Sequence, residues 1–275
     1  MTEVLWWCAA RGVEWTWTWQ AYPGVWLFVA ALVVAFVRLE RREVDAPLPH
    51  ASSPMWRRTA FLGGAAALWL VLDWPIGALG AGYLASVHMI QFLVLALIAP
   101  PLLLLSIREE DYRDLARRLP EGPFRSVTHP LVTLATFTTV LAATHWPPVV
   151  DTLMPTQAGN MLLDLTWLAT GLLFWWPVVA PVPVRRSWGY PMKMGYLIAA
   201  TLVNTGTFAY LTFTALPVFA TYELAPPFSG ISTRDDQTLA GLLMKIGGAA
   251  ILWTAITVLF ARWYRESERG GSTPA

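Results

Sequence analysis

The chain alternates long apolar runs with short segments where its charges collect, a pattern that predicts helices across a bilayer rather than a soluble core. A span needs about 20 mostly apolar residues at 1.5 Å rise per residue. Seven windows meet that requirement: Trp17 to Val37, Thr59 to Ala78, Gly82 to Ile107, Pro130 to Trp146, Gly159 to Val179, Met194 to Leu216 and Thr238 to Trp263. The second and fourth are short and broken near their ends by Pro75 and Pro147. The predicted fold class is therefore all-α: a polytopic membrane protein with seven transmembrane helices. These form one domain over residues 1–265, with a disordered tail over 266–275.

Composition agrees. Of 275 residues, 56% are hydrophobic and 13% charged, about half the charged share of a soluble domain, roughly 25%. The lipid bilayer is thus the first partner, and nothing in the chain points to nucleic acid. A single cysteine, Cys8, excludes an intramolecular disulfide and any CxxC motif. The beginning, with Glu3, Trp6 and Trp7, lacks the basic stretch and small-residue cleavage site of a signal peptide, so the first span is expected to be its own insertion signal.

The formal net charge of +1 hides a strong segregation. Sixteen of the 19 basic residues fall in the loops after the first, third and fifth spans and in the tail. They include Arg41, Arg57, Arg113, Arg117, Arg185, Arg186, Lys193 and Arg262. Only Arg11 and Arg234 fall on the other side, and Lys245 lies within a span. The positive-inside bias then places the N-terminus outside and the C-terminus in the cytoplasm. Trp15, Trp17, Trp19, Tyr22 and Trp146 fit an outer aromatic belt, although Trp alternating with Thr at 15–19 also suits a short strand. The last external loop, Pro217 to Gln237, is long enough to fold over the outer mouth and ends in Asp235 and Asp236.

With that orientation, Asp73, His88, His145, Asp164 and Lys245 reach one outer layer from five different helices. His88 lies about six residues into its span, roughly 9 Å down. Ionisable groups in hydrocarbon cost at least about 2.5–3.5 kcal/mol each on insertion scales, so their convergence marks a candidate functional site. Imidazole and thioether donors suit copper, which makes His88, Met89 and His145 the leading ligand candidates, with Asp164 and Met244 after them. The bland alternatives are a helix-bonded His88, a solvated His145 and a buried Asp164–Lys245 ion pair. His50 and His129 belong with the cytoplasmic loops.

Three segments carry a resemblance. Asp73-Trp-Pro leads to His88-Met-Ile-Gln-Phe-Leu and Ala99-Pro-Pro-Leu-Leu. Thr144-His-Trp-Pro-Pro-Val-Val-Asp151 is followed by Gly171-Leu-Leu-Phe-Trp-Trp-Pro177, and the last is Asp236-Gln-Thr-Leu-Ala-Gly-Leu-Leu-Met244. In order and spacing, over about Thr59 to Phe260, they resemble the CtaG-type cytochrome c oxidase assembly factors of bacteria. The resemblance implies a seven-span plasma-membrane protein, not an enzyme, that helps assemble a haem–copper cytochrome c oxidase. Its partners would be oxidase subunits or other assembly factors, and copper would be handled at the outer face. This chain departs from the pattern at Phe92, where a second histidine is usual, near Asp164, where another is usual, and at Lys245, where a hydrophobic residue is usual.

Other classes stay open. A metal-free scaffold that binds a partner would keep the spans and pair Asp164 with Lys245. A small-solute or ion transporter would use its intramembrane charges, but the inner half is nearly all apolar, with Asn204, Thr205 and Thr207 the exceptions. A retinal protein would need a carboxylate on the third span, which has none between Gly82 and Ile107. Reporter fusions after Glu266 and near Gly230 should report opposite compartments. The same compartment for both would reject the seven-span topology.

Overall fold

A computed structural model describes residues 5–45, 54–180, 188–228 and 230–271. His50, Arg185 and Arg186, which the sequence places in loops, fall outside these residues, as do Glu3 and the last four positions. The described residues contain helices and connecting turns and no strand, so Thr16 and Thr18 alternate with tryptophans on an irregular chain. The helices are α1 (Pro23–Asp45), α2 (Pro54–Leu72), α3 (Ile76–Gly82), α4 (Ala85–Leu93), α5 (Ala99–Ser106), α6 (Glu109–Arg118), α7 (Glu121–Val127) and α8 (Pro130–Thr144). They continue as α9 (Pro147–Leu153), α10 (Gln157–Val179), α11 (Tyr190–Val203), α12 (Thr205–Phe213), α13 (Ala220–Glu223), α14 (Thr233–Leu242) and α15 (Gly248–Gly271). One π-helical turn, Val94–Ile98, joins α4 to α5, and another, Leu243–Gly247, joins α14 to α15.

Among the described residues, five helical stretches are long and apolar enough to cross a membrane: Pro23–Arg41, Ala85–Ser106, Gln157–Val179, Tyr190–Phe213 and Thr233–Arg269. The count rises to seven if each of two bent pairs is a single crossing. These pairs are α2 with α3, bent by 50°, and α7 with α8, bent by 57°, and they fall at the two windows the sequence marks as short. The first helix starts at Pro23, so Trp17 to Tyr22 stand outside the span predicted for them. At the other end α15 stays helical to Gly271, into the stretch read as a disordered tail.

Prolines and a glycine explain how the middle of the bundle closes. Pro100 and Pro101 have no N–H to offer the carbonyls of Ala96 and Leu97 four residues back, and the ladder widens there into the π-turn. Across from it stands Gly171 of α10. A Cβ there would meet the Ala96 carbonyl oxygen and, at 2.7 Å, Cγ of Pro100. Only glycine lets α10 come this close to the opened turn, which gives the Gly171 motif a packing reason. Gly171→Ala should therefore lower stability by about 1–3 kcal/mol through overpacking against backbone, measured as a fall in the unfolding midpoint in mild detergent. An unchanged midpoint would show that the two helices are free to separate.

Candidate functional site

The chain from Leu5 to Tyr22 lies across the end of the bundle that carries His88, and side chains of α10 hold it there. Gln157 Oε1 accepts from the backbone N–H groups of Trp6 (2.7 Å) and Trp7 (3.2 Å). Asn160 Nδ2 donates to the Cys8 carbonyl at 3.0 Å, and Ala10 N donates to the Met154 carbonyl at 3.0 Å. The Cys8 thiol donates to the Leu72 carbonyl at 3.3 Å. Trp7 is almost completely enclosed, and its indole Nε1 donates to Asp164 Oδ2 at 2.8 Å. A buried indole needs an acceptor and a buried carboxylate needs donors, so each resolves the other's desolvation.

Asp164 is therefore not paired with Lys245. The lysine Nζ donates to Thr205 Oγ1 at 3.0 Å and lies 4.7 Å from the Phe208 ring centroid. A hydroxyl and an aromatic face take the ammonium toward α12, away from α10.

Beneath the N-terminal segment, Trp167 gathers both histidines. Its Nε1 donates to Thr144 Oγ1 at 3.0 Å, which fixes the ring. His145 stacks on it at 5.9 Å between centroids, and His88 meets it edge-on at 4.9 Å. Phe92 closes the group, with its ring edge-on to His145 at 5.2 Å and to Trp167 at 5.4 Å. His145 Nδ1 bonds to the Leu141 carbonyl at 2.8 Å, whereas its Nε2 is buried with no hydrogen-bond partner. Tyr222, from the last loop, stands 6.0 Å from the His88 ring, and its hydroxyl donates to the Gly80 carbonyl at 2.7 Å. That loop packs against the end of the bundle that carries His88.

Of the five proposed metal ligands, then, His88 and His145 meet around one indole. Met89, on the helix of His88, is fully buried in the core. Asp164 lies on α10 one turn before Trp167 but is occupied by Trp7. Met244 lines a neighbouring pocket with Phe92, Asn204 and Lys245. Among the described residues no group of three or more His, Cys, Asp or Glu could hold a metal ion.

The other acids at this end of the bundle serve as structural acceptors. Asp73 Oδ2 takes the indole N–H of Trp69 (2.7 Å) and of Trp26 (2.9 Å), and its Oδ1 takes Trp74 N at 2.9 Å, at the bend between α2 and α3. Asp236 of α14 caps the first turn of α4 from outside the helix, accepting from Ala85 N at 2.6 Å, Ser86 N at 3.3 Å and the Ser86 hydroxyl. Asp151 does the same for α13 through Thr221 N at 2.9 Å and Thr221 Oγ1 at 2.8 Å. Gln237 Oε1 holds Val218 N at 2.6 Å. His129 Nδ1 accepts from Leu131 N at 3.3 Å as the cap of α8. The roles of Trp7, Cys8 and Trp167 escape a reading of the sequence; the one signal for them is that a buried indole must find an acceptor.

An all-α bundle of apolar, membrane-length helices, with helix ends capped by distant carboxylates and His88 and His145 covered by the N-terminal segment, has the build of an integral membrane protein. The chain belongs to the cytochrome c oxidase caa3 assembly factor family (Caa3_CtaG), whose model matches residues 8–266. Among curated proteins it is similar to the uncharacterized protein Mb0105 of Mycobacterium bovis, at 24% identity over 239 residues, 80% of this chain and 36% of that protein. The uncharacterized protein ML1998 of Mycobacterium leprae is 24% identical over 255 residues, 86% of this chain and 37% of that protein. The chain thus spans little more than a third of the length of the curated relatives it matches. No solved structure matches it.

Trp7→Phe keeps the ring but removes the donor, leaving Asp164 buried without it, and should cost about 1–3 kcal/mol of stability. Asp164→Asn, which keeps an acceptor oxygen, should cost less. Neutralising Asp164 and Lys245 together should give losses that add, since the two share no partner. Thermal unfolding of the four variants checks all of this, and a double variant more stable than the sum would restore the ion pair.

Proposed function

We propose that this protein assists assembly of a haem–copper cytochrome c oxidase without catalysing a reaction. In this reading it crosses the bacterial plasma membrane seven times, each bent pair counting once, with its N-terminus outside and its C-terminus in the cytoplasm. The family match supports the assembly role, and the segregation of basic residues supports the orientation. Its partners are oxidase subunits or other assembly factors in the same membrane.

At the outer face copper is taken as cargo, with His88 and His145 as the donors and the thioethers of Met89 and Met244 close by. The observation that carries this is the His145 Nε2, buried and unpartnered beside a second imidazole. A buried nitrogen without a partner is costly unless something binds it, and soft Cu(I) accepts a mixed imidazole and thioether set. Asp164 serves in this reading by anchoring Trp7 over the histidines. The competing reading, a metal-free scaffold, draws on the missing third ligand among the described residues and on Phe92 where a further imidazole would complete the set.

Cu(I) retention by purified protein separates the two. His88→Gln and His145→Gln should each lower retention by more than about tenfold, since loss of even a supporting contact at a metal site costs 10–100-fold in affinity. Each should also lower copper-loaded oxidase in the membrane while leaving the level of this protein near normal. Full oxidase assembly without both imidazoles would leave the scaffold reading; loss of the protein itself would make the histidines structural.

A further inference from the structure

The opposite end of the molecule holds a larger opening. Helices α5 and α15, the end of α10 and the start of α11 enclose a cleft of about 540 Å³ with apolar walls such as Leu102 and Val258. Trp175 lines it. That side chain is 3% exposed, and its indole Nε1 is buried without a hydrogen-bond partner. Its neighbour on α10, Trp176, instead packs edge-on against Tyr112 and Phe124.

The rim is cationic. Lys193 donates one proton to the Val178 carbonyl at 2.8 Å, at the end of α10, and keeps two more for another acceptor. Arg262 lies on α15, exposed, and forms no ion pair among the described residues. The nearest acid on that helix, Glu266, is held by the Tyr190 hydroxyl at 2.6 Å. From Ile251 to Arg262 the α15 wall runs on the order of 16 Å, so an apolar slot leads from beneath the two cations toward the middle of the bundle.

We propose that this cleft binds an anionic phospholipid. Its phosphate sits between Lys193 and Arg262, and one acyl chain fills the slot past Leu102 and Val258. Charge complementarity commits the site to this occupant. Two cations that form no ion pair among the described residues, at the mouth of an apolar cleft, match a lipid that carries a phosphate and a hydrocarbon tail. A zwitterionic lipid would bring its own cation to the same rim and bind less well. This inference is independent of the histidine cluster and of copper.

The test is native mass spectrometry of the full-length protein released from phosphatidylcholine nanodiscs that carry a minor fraction of phosphatidylglycerol. The wild type should retain phosphatidylglycerol well above its share of the bilayer. Lys193→Gln with Arg262→Gln should reduce that retention on the order of twentyfold, about fivefold for each charge, while Lys193→Arg preserves it. Leu102→Trp, which fills the slot and leaves both charges in place, should also displace the lipid, so a misfolded charge variant would not leave the matter open. Glycerol phosphate, a headgroup without tails, should not compete.

Equal retention of the two lipids by the wild type would overturn the proposal, as would unchanged retention in the charge variant. Displacement by glycerol phosphate would reduce the site to a free phosphate site and overturn the acyl assignment. A photocrosslinker at Val258 that captures a protein helix in place of lipid would assign the cleft to a partner.

Discussion

The structure depends on one constraint: a backbone N–H exposed by a broken helix has no water to turn to inside a membrane, so the break must bring its own acceptor. This chain breaks its helices repeatedly, and distant side chains answer. The start of α4 is capped by Asp236, which approaches across the sequence from α14. Asp151 receives the first N–H groups of α13, and Asp73 collects two indoles and a backbone N–H at the bend after α2. Each buried carboxylate in turn receives the donors that its own desolvation demands. Acids that look like a functional layer along the sequence are thus mostly the fasteners of a discontinuous bundle. That is why they share one depth: the breaks do.

The N-terminal segment follows from the same constraint. It has no helix of its own before Pro23, yet its backbone is buried at several points, so it borrows partners from α10 and from the turn before it. Because Trp7 reaches Asp164 while Cys8 reaches the end of α2, the segment ties α10 to α2 directly over the histidines. Access to His88 and His145 and the packing of the bundle are consequently coupled. A partner that drew the segment away would uncover the imidazoles and leave Asp164 without its donor in the same movement.

How much of this was legible follows from the range of each signal. Helix content and the long apolar spans come from local periodicity, and Pro75 marks the bend between α2 and α3, whereas Pro147 opens α9 and the second bend lies at the other end of α8, between Val127 and Pro130. The meeting of His88 with His145 was legible as a common depth. The Asp164–Lys245 pair was not, because depth fixes one coordinate of a side chain and leaves its direction around the helix open; Asp164 turned to an indole on a segment read as outside the bundle. The capping role of Asp236 was hidden for a related reason. An ordinary N-cap sits next to its helix in sequence, whereas this one is some 150 positions from Ala85. Residue type alone cannot distinguish a ligand carboxylate from such a cap.

Phe92 shows what that distinction means for function. Its ring fills the space beside His145 with edge-to-face contacts that stabilise the stack but donate nothing to an ion. A resident metal wants a closed set of ligands with supporting bonds on each, and here one imidazole has such a bond, from Nδ1 to Leu141, while its other nitrogen is bare. Under the proposed copper-cargo reading, an incomplete set of this kind suits an ion in passage better than an ion held for structure, because few donors mean easy release. The same arrangement explains why the aromatic shell is so complete. With only two imidazoles to define the place, it falls to Trp167, Phe92 and Tyr222 to orient them and keep water out, and the geometry of the site is carried more by rings than by ligands.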